Sequence, residues 1–441
     1  MKILIRGGRI VDPASGRDGV GTIAIADGRI VGIDRQARDF APDRTIEAAG
    51  LVVAPGLVDL SARLREPGHE HEGMLESEMG AAVAGGVTSV VCPPDTDPVL
   101  DEPGLVQMLK FRAGSLNLAR LYPLGALTRG LAGDTLTEMA ELTDAGCIGF
   151  SQADIAVKDT LVLHRALQYA ATFGFGVWLR PNDAYLGGGV AAKGALATRM
   201  GLSGVPALAE TIALATILEL MRDTGARVHL CRLSSAAGIE LVRRAKAEGL
   251  PVTCDVSANH LHLIDVDIGY FNSSMRLSPP LRQQRDRDAI RAGLADGTVD
   301  ALVSDHSPVD EDAKNLPFAE AEPGATGLEL LLSLTLLWGQ AERIPLTQML
   351  ACVTSAAARV AGIGRVGTSG GLAHGAGSLT DGGAADLCLF DPDARWTVSP
   401  EALRSQGKHT PFAGYDLPGC VRYTLVAGQV AFEEAAAALA A

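Results

Sequence analysis

Between about residues 55 and 365, short apolar runs alternate with stretches of helical periodicity, and this alternation limits the possible folds most. The runs are GLVDLSARL, VTSVVCP, ARLYPLGAL, CIGFSQ, GFGVWLR, RVHLCRL, PVTCDVS and DALVSDH. Such largely apolar segments suit strands covered on both faces, as in a parallel sheet. Between several of them lie predicted helices, among them LVLHRALQYAATFG, PALAETIALATILELMRDTG and AAGIELVRRAKAEG. Eight strands with intervening helices predict an α/β fold, a (β/α)8 barrel. The longest departures are the Gly-rich segment 185–205 and the acidic segment 306–325. Both follow strands, so both are expected on the C-terminal face, where barrel enzymes place their sites.

The two ends read differently. ILIRGGRIVD, GTIAIADGRIVGID and RTIEAAGLVVAPG alternate apolar and polar positions, with Gly-Gly or Asp-Gly pairs at the turns. ADLCLFDPDARWTV and VRYTLVAGQVAF repeat that pattern near the C-terminus. A composite β-domain of 1–54 plus 366–441 around a barrel of 55–365 is expected, ending in an Ala-rich tail, 434–441.

Charge removes some classes of function. With 38 basic and 52 acidic residues the net charge is −14, which argues against nucleic acid or an anionic membrane as partner. No apolar run approaches the roughly 20 residues of a membrane span. The N-terminus MKILIRGGRIVD lacks the apolar core of a secretory signal. The seven cysteines are widely spaced without a CxxC, as expected of buried reduced thiols in a cytoplasmic protein.

Six segments follow one another in a telling order: PGLVDLSARLREPG (55–68), Pro94-Asp95-Thr96-Asp97-Pro98, SANHLHL (257–263), SPPLR (278–282), SDHSP (304–308) and PGATGLE (323–329). Together they resemble the dihydroorotases of the amidohydrolase superfamily, a likeness that runs through the whole chain. The resemblance implies a barrel of amidohydrolase type that cyclises carbamoyl-aspartate with one or two zinc ions. Zinc needs neutral imidazole or carboxylate lone pairs from several strand ends.

This chain departs from that pattern at the ligand positions. The family's Asp-x-His-x-His on the first strand reads Asp59-Leu60-Ser61-Ala62-Arg63. The bridging acid after the fourth strand is replaced by Gln152 within Phe150-Ser151-Gln152-Ala153, with Asp154 one or two positions late. Histidines after the fifth and sixth strands become Arg180 and Arg232. Of the ligands only Asp305 remains, followed by His306. A guanidinium has no lone pair to offer, and a serine hydroxyl is a poor zinc ligand. Zinc is therefore expected to be lost, leaving no cofactor and a vestigial Asp305 and His306. Arg65 matches the residue that grips the substrate carboxylate, but its companion asparagines are Asp95 and Ser278.

The replacements suggest a plug: Arg63, Arg180 and Arg232 would restore the metals' positive charge and pair with Asp59, Asp305 and Asp183. The HxH of His69 and His71 reads as a solvated loop, and His260 and His262 read as hydrogen-bonded packing. His164, His229, His374 and His409 show no ligand spacing. The resemblance then implies a non-catalytic subunit of pyrimidine biosynthesis. Its expected partner is the aspartate carbamoyltransferase catalytic chain, six plus six, with a homodimer as a further expectation. The alternative is a divergent cyclic-amide hydrolase with a rebuilt or metal-free site, in which Asp305 and His306 are the candidate pair.

Overall fold

The computed structural model describes residues 1–34, 40–364 and 375–434. His374 and tail residues 435–441 lie outside the described residues.

Eight parallel strand segments form the barrel: Leu57–Asp59, Val87–Cys92, Arg120–Pro123 continued by Gly125–Ala126, Phe150–Ser151, Gly176–Leu179, Arg227–Leu230, Val252–Ser257 and Ala301–Val303. The third strand is split. Arg120–Pro123 pairs with the second strand, and Gly125–Ala126 pairs with the fourth. Closure between the last strand and the first comes just past their ends, where Ala62 bridges His306 and the Arg63 N–H donates to the His306 carbonyl at 2.8 Å. Gly56 makes the entry into the first strand possible, because a Cβ there would lie 2.1 Å from the Thr88 hydroxyl.

Strand periodicity divides the apolar residues between two layers. Leu57, Val90, Leu121 and Leu302 pack with the surrounding helices, whereas Val58, Val91, Tyr122, Trp178 and Val303 form a separate cluster inside the barrel. The predicted helices form at Thr160–Phe173, Ala207–Thr224 and Ala236–Ala247. The first two end at Gly174 and Gly225, which take the left-handed conformation that glycine adopts without a Cβ penalty.

Strands from the two ends of the chain share one eight-stranded sheet. Its junction is the antiparallel pairing of Val52–Pro55 with Leu387–Thr397. Ile3, Ile5, Ile23, Ile25, Leu387, Leu389 and Leu425 fill a core of its own. The Arg120–Asp386 ion pair (2.8 Å) and the bond from the Thr424 hydroxyl to the Val83 carbonyl (2.6 Å) join this layer to the barrel.

Candidate functional site at the barrel mouth

The C-terminal strand ends converge on a cavity of about 370 Å³ lined by Arg63, Arg65, Asp95, Asp154, Arg180, Ser278, Asp305, Ser307 and Glu322, among others. Left-handed backbone is frequent here. Arg65, Ala153, Arg232 and Asp305 have φ between +50° and +64°, a region that costs a non-glycine residue roughly 1–2 kcal/mol. At Ala153 this turn separates Gln152 from Asp154. The Gln152 side chain is buried against Thr128 and the Leu131 carbonyl, away from the cavity. Asp154, not Gln152, faces the mouth, which corrects the sequence expectation for this strand end.

Asp154 is the centre of the network. Its carboxylate pairs with Arg232, with Arg63 at 3.2 Å and with Arg180 at 3.3 Å. Arg63 also donates to Asp95 (2.8 Å) and to the Ser307 hydroxyl (3.0 Å). Arg180 reaches the Ser278 hydroxyl at 2.9 Å, and Arg232 reaches Asp305 at 3.1 Å. Three buried or nearly buried guanidiniums thus meet three carboxylates, a local balance of zero formal charge. Burial raises the Asp154 pKa, but the charges of Arg232, Arg180 and Arg63 outweigh it and hold the carboxyl far below its usual range. Asp305 goes the other way: burial lifts its pKa, and Arg232 and Arg63 only partly offset that.

The plug therefore uses Asp154, Asp95 and Asp305. Asp59 and Asp183, the other acids expected to pair with these arginines, do not take part, and the reason is local geometry. Asp59 turns to Ser304, accepting from its N–H at 3.1 Å and pairing with its hydroxyl, while Ser61 N–H adds a bond at 3.3 Å. Burial pushes the Asp59 carboxyl up to about 6. Asp183 caps its own loop through the Tyr185 and Leu186 N–H groups. Arg65 is held by Glu72 (2.6 Å) and the Pro308 carbonyl (2.9 Å).

Neighbouring groups fix the loops that carry these side chains. Glu210 accepts from the N–H and hydroxyl of both Ser234 and Ser235, at 2.5–3.0 Å, just after Arg232. Ser235 also caps the helix Ala236–Ala247, so the carboxylate sits where the helix dipole favours negative charge. His306 points away from the cavity. It bonds buried Glu78 at 2.8 Å and accepts from the Gly327 N–H at 3.1 Å, tying PGATGLE to the strand end. His260 bonds the Pro280 carbonyl at 3.2 Å, and burial pushes its pKa down to about 4. His262 bonds the Leu334 carbonyl at 2.9 Å. His69 and His71 lie in the loop after Arg65, and His71 is 63% exposed.

One grouping has no signal in the linear sequence. His229, Cys231 and Asp255 come together inside the barrel, although His229 showed no ligand spacing. Two lie two residues apart at the end of one strand and the third lies on the next, so only register reveals them.

Known proteins place this architecture. The family profile described as "Dihydro-orotase-like" matches residues 50–237. A "Dihydroorotase-like protein" from Pseudomonas aeruginosa is 45% identical over 98% of this chain and 100% of its own. The chain belongs to the dihydroorotase-like family. A protein named "Dihydroorotase" from Anaeromyxobacter sp. strain K is 38% identical, over 98% of both chains. Among solved structures, the L-hydantoinase (dihydropyrimidinase) from Arthrobacter aurescens superposes with a TM-score of 0.86 at 24% identity. It covers 98% of this chain and 96% of its own, a likeness of fold.

The mouth of this family member does not fit the zinc that the family implies. At the positions where the sequence resemblance expects imidazoles the chain carries Ser61, Arg63, Arg180 and Arg232, and Arg63, Arg180 and Arg232 already engage Asp154, Asp95 and Asp305. A cation placed there would meet fixed positive charge, and among the described residues no three His, Cys, Asp or Glu donors at the mouth lie close enough together to hold it.

Proposed function

We propose that this chain is a cytoplasmic, non-catalytic dihydroorotase homologue of pyrimidine biosynthesis, without zinc at its barrel mouth. In this reading it serves as the structural and regulatory subunit on which aspartate carbamoyltransferase catalytic chains assemble, six plus six. The observation that carries the reading is the ion-pair plug of Arg63, Arg180 and Arg232 on Asp154, Asp95 and Asp305. It fills the mouth with guanidiniums, which have no lone pair to offer zinc, and ties up the carboxylates beside them in ion pairs. A fold and its interfaces can outlast the chemistry once grafted on it.

The test is co-expression with the aspartate carbamoyltransferase catalytic chain, followed by light scattering on the eluted complex and an assay of transferase activity. The reading expects one large mixed complex and a transferase that loses activity or stability when this chain is omitted. Separate elution with unchanged transferase activity would overturn it.

A second reading, a divergent cyclic-amide hydrolase, draws support from Asp305, whose raised pKa and position at the 370 Å³ cavity suit a general base. It expects turnover of dihydroorotate or a related cyclic amide that Asp305→Ala abolishes. The subunit reading expects no turnover, and assembly that survives the same substitution.

A further inference from the structure

Below the plug, two neighbouring strands bring three different donor types together. The His229 imidazole and the Asp255 carboxylate approach to 2.8 Å, and one donor atom of Cys231 lies within 4.8 Å of both. The outer atoms of this group are already fixed. His229 Nδ1 is held by the Thr253 hydroxyl at 2.8 Å, and Asp255 Oδ1 accepts from the Arg232 N–H at 2.6 Å. That leaves Nε2 and Oδ2 facing one another, with the thiol beside them. Metal-binding histidines and carboxylates carry the same kind of supporting bonds, which orient the ligating atoms.

We propose that His229, Cys231 and Asp255 form a zinc-class metal site inside the barrel, separate from the mouth. A neutral imidazole, a thiolate and a carboxylate balance a divalent cation, so the loaded site buries no net charge. Nitrogen, sulfur and oxygen donors together suit zinc or cobalt rather than magnesium or calcium. Tetrahedral zinc with bonds of roughly 2.0–2.3 Å sets its ligands about 3.3–3.5 Å apart, so the imidazole and carboxylate need open by only about half an ångström and the thiol must close. Binding releases the thiol proton, and the neutral imidazole changes tautomer: its proton leaves Nε2, which takes the metal, for Nδ1, where the Thr253 hydroxyl accepts it. Burial and Asp255 keep the free Cys231 thiol protonated, and coordination is what ionises it.

Of the three residues only His229 lines a cavity of about 640 Å³ at the N-terminal end of the barrel, together with Thr253 and with Trp178, whose ring lies 4.4 Å from the imidazole. The proposal does not depend on the subunit reading, since none of the three residues belongs to the plug's ion pairs.

The test uses the full chain, purified without a His-tag or chelator, then equilibrated with zinc or cobalt and desalted. We expect about one metal per chain by mass spectrometry, and in the cobalt form a near-ultraviolet thiolate-to-metal charge-transfer band. Cys231→Ser should abolish the band and bring the retained metal at least tenfold lower, while Cys420→Ser leaves both unchanged. The wild-type spectrum decides even if Cys231→Ser misfolds. Retention below a tenth of an equivalent, bound cobalt without the band, or a band that survives in folded Cys231→Ser would each overturn the proposal. Cobalt at a rebuilt mouth site without a thiolate ligand would appear as bound metal without the band, so the two failures are distinguishable.

Discussion

Replacing Asp154 by alanine isolates what the plug contributes. The carboxylate is shared by Arg63 (3.2 Å), Arg180 (3.3 Å) and Arg232, whose side chains are 11%, 10% and 5% exposed. At an effective dielectric near 20, one such contact is worth about 5 kcal/mol before desolvation. Removing one partner of a buried pair costs about 3–5 kcal/mol, because the remaining charge stays buried without compensation. Asp154 is 31% exposed, so water screens part of the loss and about 3 kcal/mol is expected. Asp154→Asn should cost nearly as much, since it keeps the shape and loses the charge. Arg63→Met should cost less, because Arg180 and Arg232 still neutralise Asp154. Urea unfolding of the three variants at neutral pH, followed by circular dichroism, measures the series. Added chloride should narrow the gap between Asp154→Ala and wild type by entering the vacated cationic pocket. An Asp154→Ala loss under about 1 kcal/mol, or Arg63→Met costing more, would refute the assignment of Asp154 as the centre of the network.

Three further outcomes are expected. The Asp59 carboxyl, pushed up to about 6 from 3.8, makes the folded state bind the extra proton. Its stabilisation is complete below about pH 4 and is lost as pH rises through 6, up to about 3 kcal/mol, and Asp59→Asn should flatten that slope in urea titrations from pH 4 to 7. Glu210→Ala leaves two buried N–H groups and two hydroxyls without their acceptor, so a loss of about 3 kcal/mol is expected, read as a lowered urea midpoint. Finally, Ser61→His, Arg63→His, Arg180→His and Arg232→His together, in a Cys231→Ser background, should raise zinc retention at the mouth by at least tenfold by mass spectrometry. No gain in a folded variant would mean that these four positions do not surround a metal-sized space.

The sequence by itself determined the barrel and the chemistry of its mouth positions. Apolar runs and helical periodicity depend on neighbours a few residues apart, so all eight strands are legible in the chain. Residue type alone states that Arg63, Arg180 and Arg232 cannot donate a lone pair. Only the tertiary structure decided which acids those arginines meet. Asp154 takes the central place because left-handed backbone at Ala153 separates it from Gln152, and no spacing rule signals a positive φ at an alanine. Asp59 and Asp183 carry the same carboxyl group but spend it on Ser304 and on a loop's own N–H groups. His229, Cys231 and Asp255 meet because two adjacent strands pair in one register, placing side chains 26 positions apart at hydrogen-bond distance. Such contacts are set by the closure of the sheet, which brings distant segments together without leaving a local trace in the sequence.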